Sequence, residues 1–305
     1  MTTLNFGGAG FIGRRVTDRL AADGEEVICV DVHVDDAVKR DDVTVTEGDV
    51  TDVDAVRGLI ERYAPERVLN LAYVLGAESD VDPSLAVRVN CVGMDNVFRA
   101  AVESGVERVV YASSMTVYGT AGRYDTAVAE DVAAPAAYTQ YPWLFYGATK
   151  QLNEYQSRHY ADEHGLDVAA IRPSIVFGPG RDSGLTKWAS EFVSKPARGD
   201  VGHLPFDAEQ ELNMVYREDV ADLVVRMLRA DSLPHHAYNT GGHTVTAEEL
   251  ARLVEDTVGG RVTLDEGTES KLVPDVSHER SRTELGYELT PLEECVQDHA
   301  ERSRD

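Results

Sequence analysis

At 305 residues with 43% apolar side chains, the chain is long enough for one large domain or two unequal ones and apolar enough to bury a full core. A formal net charge of −25, spread over most segments, argues against electrostatic binding to nucleic acid or to an anionic membrane. No apolar run approaches a membrane span, no signal-peptide pattern opens the sequence, and Cys29, Cys91 and Cys295 have neither disulfide-framework nor metal-ligand spacing. A cytoplasmic protein with structural thiols and no metal is therefore expected. Arginine outnumbers lysine 24 to five, and diffuse acidity with scarce lysine suits a salt-loving organism, where high salt screens the self-repulsion.

From the N-terminus, short β-branched runs alternate with longer amphipathic stretches. Strands are predicted at residues 3–6, 27–31, 43–46, 67–71, 108–112 and 167–172, and helices at 12–22, 53–63, 83–104 and 146–164. Such alternation predicts an α/β fold with a doubly wound parallel Rossmann sheet that holds its ligand at the carboxyl ends of the strands. Beyond Pro173 the order changes to a Gly/Pro-rich stretch, a helix at 185–195, a short strand at "NMVY", a helix over "REDVADLVVRMLRA", and helices at 247–258 and 291–300. The predicted division is a main domain of residues 1–176 and 213–240. A small interleaved lobe of residues 177–212 and 241–305 would close over its cleft.

"LNFGGAGFIGRRV" follows the first strand and opens the first helix. Its glycines, Gly7, Gly10 and Gly13, permit a tight turn in which a pyrophosphate can approach the backbone through Phe11 and Ile12 at the helix N-terminus. Asp31 closes the second strand 18 residues beyond Gly13, where a carboxylate would accept hydrogen bonds from ribose hydroxyls and repel a 2′-phosphate. NAD is favoured on this ground; Lys39 and Arg40 downstream keep NADP open. Asp49 and Val50 after the third strand, and Leu71 and Ala72 ending the fourth, fit opposite walls of an adenine site.

The fifth strand delivers Ser113 and Ser114 to the same edge of the sheet. In "PWLFYGATK", Tyr146 and Lys150 stand four positions apart, one turn along a helix face, so a phenol and an ammonium can share a site with a serine hydroxyl. His235, His236 and His243 lack a carboxylate or cysteine partner at ligand spacing and are read as solvated loop histidines.

Taken in order, "GGAGFIG", "SSMTVYG", "YGATK", "RPSIVFGPG" and "LGYEL" resemble the extended short-chain dehydrogenase/reductase family, the NAD-dependent epimerases and dehydratases, over nearly the entire length. The resemblance implies that Tyr146 takes the proton of a substrate carbinol as hydride passes to the cofactor, and that Ser114, the family's second serine before "VYG", positions the same oxygen. Lys150 would favour the phenolate and bind the nicotinamide ribose. Asn90 has two open readings, a match to a family asparagine near the cofactor or an ordinary polar helix residue, and Pro173 would line the cofactor site. Arg181 has two open readings, a substrate contact from the small lobe or a surface charge. Helices at 83–104 and 146–164 would pair across a homodimer.

Family dehydratases carry carboxylates where this chain has Met115 and Thr116, which argues against dehydration. The arginine that family epimerases place before the strand matching "NMVY" falls on Leu212, no arginine lies from Lys271 to Asp275, and no lysine follows "NLAYVLGAES". Loss of such phosphate contacts would be costly for a nucleotide diphosphate. A sugar dehydrogenase acting on a smaller substrate therefore leads, with a nucleotide-sugar 4-epimerase second and a non-catalytic NAD-binding regulator third.

Overall fold

The computed structural model describes residues 1–35, 37–120, 124–132, 144–181 and 186–304. Strands β1 (Thr2–Phe6), β2 (Glu26–Asp31), β3 (Val43–Glu47), β4 (Arg67–Asn70), β5 (Arg108–Ala112) and β6 (Val168–Arg172) pair in parallel. β7 (Ile175–Phe177), β8 (Val201–Leu204) and β9 (Glu211–Tyr216) leave this sheet, and β10 (Ala237–Asn239) returns to it beside β6. The resulting seven-stranded order, β10-β6-β5-β4-β1-β2-β3, reverses direction between β1 and β4. That switch point is where an open α/β sheet forms its ligand crevice.

The inner strands are buried along their length, as parallel strands covered on both faces must be. α1 (Gly13–Ala22) and α8 (Arg217–Arg229) cover one face through Val16, Leu20, Val220 and Val224. α2 (Val53–Tyr63) covers the other through Val56 and Ile60, its N-terminus capped by the Asp52 carboxylate, which accepts from Asp54 and Ala55 N–H. Asn5 on β1 donates to Gly13 O at 3.2 Å and to Thr17 Oγ1 at 2.9 Å, which fixes the start of α1 against the sheet.

Residues 83–104, expected as one helix, form α4 (Pro83–Ala86), a π-helical turn (Val87–Gly93) and α5 (Met94–Ser104), preceded by the unforeseen α3 (Gly76–Val81). A π turn displaces carbonyls from the regular ladder. Two of them are taken up by α6 (Leu144–His164): Asn153 donates to Asn90 O at 2.7 Å and Gln156 to Cys91 O at 3.2 Å. The sequence pattern carries no sign of this because the compensating donors lie about 60 residues downstream.

The smaller lobe holds α7 (Trp188–Ala197), β11 (His243–Thr246), α9 (Ala247–Val258), β12 (Arg261–Leu264) and α11 (Leu292–Arg304), whereas α10 (Glu279–Leu285), expected in the lobe, packs on α8 and β10 of the main domain, where Ser281 donates to Asn239 O and Arg226 to Leu285 O. The first residue of the helix expected at 185–195 lies outside the described residues. β9 pairs with β7 and β11 in a three-stranded sheet, and β12 with β8 in a two-stranded one. Residues 213–216, expected in the main domain, therefore sit in the lobe's sheet, and the boundary expected after residue 176 falls inside β7. The lobe has its own core, built on Phe177, Phe192, Leu212, Met214 and Val254. Among the described residues no helix is long and apolar enough to cross a membrane.

Candidate active site

The glycine turn runs from the end of β1 into α1. Gly7 has φ +77°, and a Cβ there would lie 2.6 Å from Ala72 N, so the ends of β1 and β4 approach as only glycine allows. A Cβ on Gly13 would lie 2.1 Å from Gly7 O. α1 begins without a side-chain cap, and among the described residues no backbone carbonyl accepts from Phe11 or Ile12 N–H. A tight turn ending in uncapped N–H groups at a helix N-terminus fits a dinucleotide pyrophosphate. Asp31, at the end of β2, accepts from Ala9 N–H through Oδ2 at 3.1 Å and from Val32 N–H through Oδ1 at 2.8 Å, which ties the carboxylate to the rim of the turn.

The other expected cofactor residues line the same edge with unequal prospects. Val50 is buried and packs against Gly93, whereas Asp49 is exposed and accepts from Thr51 N–H at 2.8 Å. Leu71 N–H donates to Phe6 O at 2.8 Å, and Ala72 N–H to Asn70 Oδ1 at 3.1 Å, so both follow β4 directly over the turn. Pro173 is buried and its carbonyl accepts from Met115 N–H at 3.0 Å, which joins the ends of β5 and β6. Asn90 is buried on the π turn. Its amide is used at both ends by Val74, accepting from N–H at 2.8 Å and donating to O at 3.0 Å, so it clamps the loop after β4.

Ser114 follows β5 and accepts from Thr116 N–H at 3.2 Å, which leaves its proton for the Tyr146 phenol, to which it is hydrogen-bonded. Ser113 points away and donates to Glu154 at 2.5 Å. Burial pushes Tyr146 up to about 12, while the Ser114 hydrogen bond and the Arg181 charge pull the other way. Lys150, one helical turn on, is fully buried; its Nζ donates to Ala112 O at 2.5 Å and stands 5.5 Å from the Tyr146 ring centroid. Burial drives its ammonium well below the ordinary range for lysine, opposed by the Glu154 carboxylate. Ser114, Tyr146 and Lys150 thus converge at the carboxyl edge of the sheet.

Arg181 belongs to this cleft and not to the outer surface. Its guanidinium lies 4.5 Å from the Phe11 ring centroid, near enough to Tyr146 to act on its charge, and burial lowers it to about 10. Arg217 lies over the same ring at 5.2 Å and donates to Pro179 O at 2.5 Å. Both Nε atoms are buried without a hydrogen-bond partner. A pair of desolvated guanidiniums above the glycine turn favours an anionic or strongly polar ligand group.

Sequence reasoning did not single out Tyr73, Glu154, Arg172 or Arg217. Glu154 receives a bidentate ion pair from Arg172 at 2.8 and 2.6 Å, and Arg172 also donates to Tyr118 Oη at 2.8 Å and Glu130 O at 3.0 Å. Glu154 stands four residues beyond Lys150, a spacing that was legible; its partner on β6 was not. Among the described residues no cluster of three or more His, Cys, Asp or Glu could hold a metal ion. His235 is paired with Glu284, and His243, expected on a loop, opens β11 and contacts Thr290 O at 2.8 Å.

Comparison with known proteins agrees with the fold. The NAD dependent epimerase/dehydratase family model matches residues 5–241. A UDP-glucose 4-epimerase of Mycolicibacterium smegmatis is 32% identical over 236 residues, covering 74% of this chain and 72% of that protein. The structure of the Thermus thermophilus UDP-glucose 4-epimerase complex with NAD superposes with a TM-score of 0.83 at 25% identity, covering 100% of this chain and 99% of the other. A Cupriavidus necator L-threonine dehydrogenase shares the fold with a TM-score of 0.87 at 22% identity, over 98% of this chain and 99% of the other. Together with a seven-stranded parallel sheet and a glycine turn at its switch point, these matches show that the chain belongs to the NAD-dependent epimerase/dehydratase family, the extended short-chain dehydrogenases/reductases.

Proposed function

We propose that this enzyme uses NAD to oxidise a carbinol of a small, sugar-like substrate, with Tyr146 as proton acceptor, Ser114 as hydrogen-bonding partner of the reacting oxygen, and Lys150 as the charge beneath both. The observation that carries this reading is the convergence of those three side chains beside Arg181, whose Nη1 donates to Thr186 Oγ1 while its Nε is buried without a hydrogen-bond partner. Bound NAD⁺ would supply the hydride acceptor and a positive ring near the phenol. The carbinol C–H bond breaks with its electron pair leaving as hydride, the O–H proton passes to the Tyr146 phenolate, and the carbonyl forms. Once substrate binds, the single Ser114 proton turns from Tyr146 to the reacting oxygen, and Arg181 holds a polar or anionic group of the substrate beside the reacting carbon.

The turn residues Gly7, Gly10, Phe11, Ile12 and Gly13 would hold the pyrophosphate, and Asp31 the adenosine ribose, with Val50, Leu71, Ala72 and Pro173 along the cofactor. Arg40, the nearest downstream arginine, is already engaged by Asp42 at 2.8 Å and Asp18 at 3.2 Å, which supports NAD over NADP. A small substrate is supported by position 212. Leu212 is 1% exposed within the lobe core and Val273 in the 271–275 segment is buried too, so neither position offers an arginine fork to a diphosphate.

A second reading, a nucleotide-sugar 4-epimerase, is favoured by the relatedness to the Mycolicibacterium protein. Incubation with NAD and a panel of free sugars, polyols and nucleotide sugars, following NADH and product configuration together, separates the two. Net NADH from a phosphate-free substrate supports the dehydrogenase. Inversion of a nucleotide sugar without net NADH overturns it in favour of the epimerase.

We also infer a cytoplasmic, salt-adapted homodimer. Val81, Val92, Leu152 and Tyr155 are exposed on α3, the π turn and α6, and Tyr155 is 66% exposed, which supports helix pairing between copies. Light scattering at high salt tests it, and a monomer at micromolar concentration would contradict it.

A further inference from the structure

Lys150 is 1% exposed, yet no carboxylate among the described residues is within salt-bridge distance of its Nζ. An isolated buried ammonium is costly and tends to lose its proton. The catalytic reading above requires it charged.

The loop after β4 supplies a partner of a different kind. Tyr73 lies with its ring face 3.2 Å from Lys150 Nζ and edge-on to Tyr146, centroids 5.7 Å apart at 88°. A tyrosine face at this range attracts a cation through its quadrupole, most strongly where water is excluded. The ring is held from both ends. Its Oη donates to Asn153 Oδ1 at 2.9 Å and lies 3.0 Å from Thr149 Oγ1, both on α6 on either side of Lys150. The backbone at Val74 is gripped at N–H and C=O by Asn90, and Asn153 returns to Asn90 O. Asn90, Val74, Tyr73 and α6 therefore close a loop of contacts around one ammonium.

We propose that Tyr73 is the positioning residue for Lys150: its clamped π face keeps the buried ammonium charged and aimed into the cleft. Among the described residues, the charged and titratable groups around Lys150 and the Tyr73 ring are Tyr73 from the β4 loop, Tyr146 and Glu154 from α6, Tyr111 from β5 and Cys91 from the π turn. Arg172 on β6 neutralises much of the Glu154 charge, and Arg181 acts on Tyr146 from the β7 loop. With Glu154 so engaged, the Tyr73 face is, among the described residues, the closest stabilising group beyond the Ala112 carbonyl.

This inference rests on the acid/base role given to Lys150, but its test requires neither substrate nor cofactor, so the two can fail separately. The chain has only five lysines, so the full-length protein labelled at lysine Cε gives few NMR signals, and Lys150→Met identifies the one to follow. The midpoint of its pH titration is compared in wild type, Tyr73→Phe and Tyr73→Leu. Tyr73→Phe keeps the face and is expected to hold the proton affinity of Lys150 within about twofold; Tyr73→Leu removes it and is expected to lower that affinity about tenfold. An unchanged midpoint in Tyr73→Leu overturns the proposal, as does a Tyr73→Phe midpoint displaced as far as that of Tyr73→Leu. Mono-, di- and trifluorophenylalanine placed at position 73 drain the ring's quadrupole at nearly constant shape, so folding is preserved. A stepwise fall in proton affinity along that series supports the proposal, and a flat series refutes it.

Discussion

The Glu154–Arg172 pair ties the helix that carries Tyr146 and Lys150 to β6, and its removal has a calculable signature. Arg172 makes two bonds to Glu154, at 2.8 and 2.6 Å, with side-chain exposures of 10% and 19%. Breaking such a buried pair from one side strands a charge and costs about 3–5 kcal/mol. Because Glu154 retains some access to water, the lower end applies, so Glu154→Leu and Arg172→Met should each cost about 3 kcal/mol. The double variant strands neither charge. It leaves the Ser113 hydroxyl without its acceptor, a loss of about 1–3 kcal/mol, while the Glu130 carbonyl and the Tyr118 hydroxyl, which still donates to Asn239, each lose one donor. Urea unfolding of all four proteins at neutral pH and high salt, followed by circular dichroism and fluorescence, measures the cycle. A double variant no worse than either single is the expected result. Losses that add to within about 0.5 kcal/mol would show that the two groups do not act as a pair and would refute the reasoning.

Gly13→Ala places a Cβ 2.1 Å from Gly7 O, so the turn must open; isothermal titration should show NAD affinity reduced at least about a hundredfold in a protein of normal helicity. Unaltered affinity would remove the turn from the cofactor site. His299 is fully buried beside Phe177 and Phe192, contacts Ser194 Oγ at 2.9 Å, and is lowered by burial to about 3. Since the unfolded chain takes up that proton near pH 6.5 and the native one does not, its contribution is complete above pH 6.5 and is lost as pH falls toward 3. Relative to His299→Gln, wild type should therefore lose about 2–3 kcal/mol of stability between pH 6.5 and 4.5, measured by urea unfolding. Parallel stability curves for the two proteins would contradict this.

The sheet was legible because each strand is a short β-branched run bounded by turn residues, and the parallel order followed from strands alternating with helices. "LNFGGAGFIGRRV" announced the turn because its glycines are demanded by contacts within a few residues, apart from Gly7 against Ala72. What escaped notice depends on partners remote in sequence. The π turn is completed by Asn153 and Gln156, Glu154 is met by Arg172 from another strand, and Tyr73 has meaning only once α6 brings Lys150 beneath it. Asn90 was legible as a polar helix residue, but the use of both ends of its amide by Val74 depends on where the loop after β4 runs, which helical periodicity does not specify. β9 was recognised as a strand, while its placement in the lobe depended on pairing with β7 and β11, which local pattern does not specify.

The central claim is that Tyr146 takes the substrate proton. Once the panel has identified a substrate, the pH dependence of kcat/KM should be measured for wild type and Tyr146→Phe, with NAD binding by both proteins measured alongside. Wild-type activity should rise with pH as the phenolate forms, and Tyr146→Phe should lose at least about a hundredfold in kcat while still binding NAD. If Tyr146→Phe turned over within a few-fold of wild type with the same pH profile, the proton would leave by another route and the assignment of this site would fall.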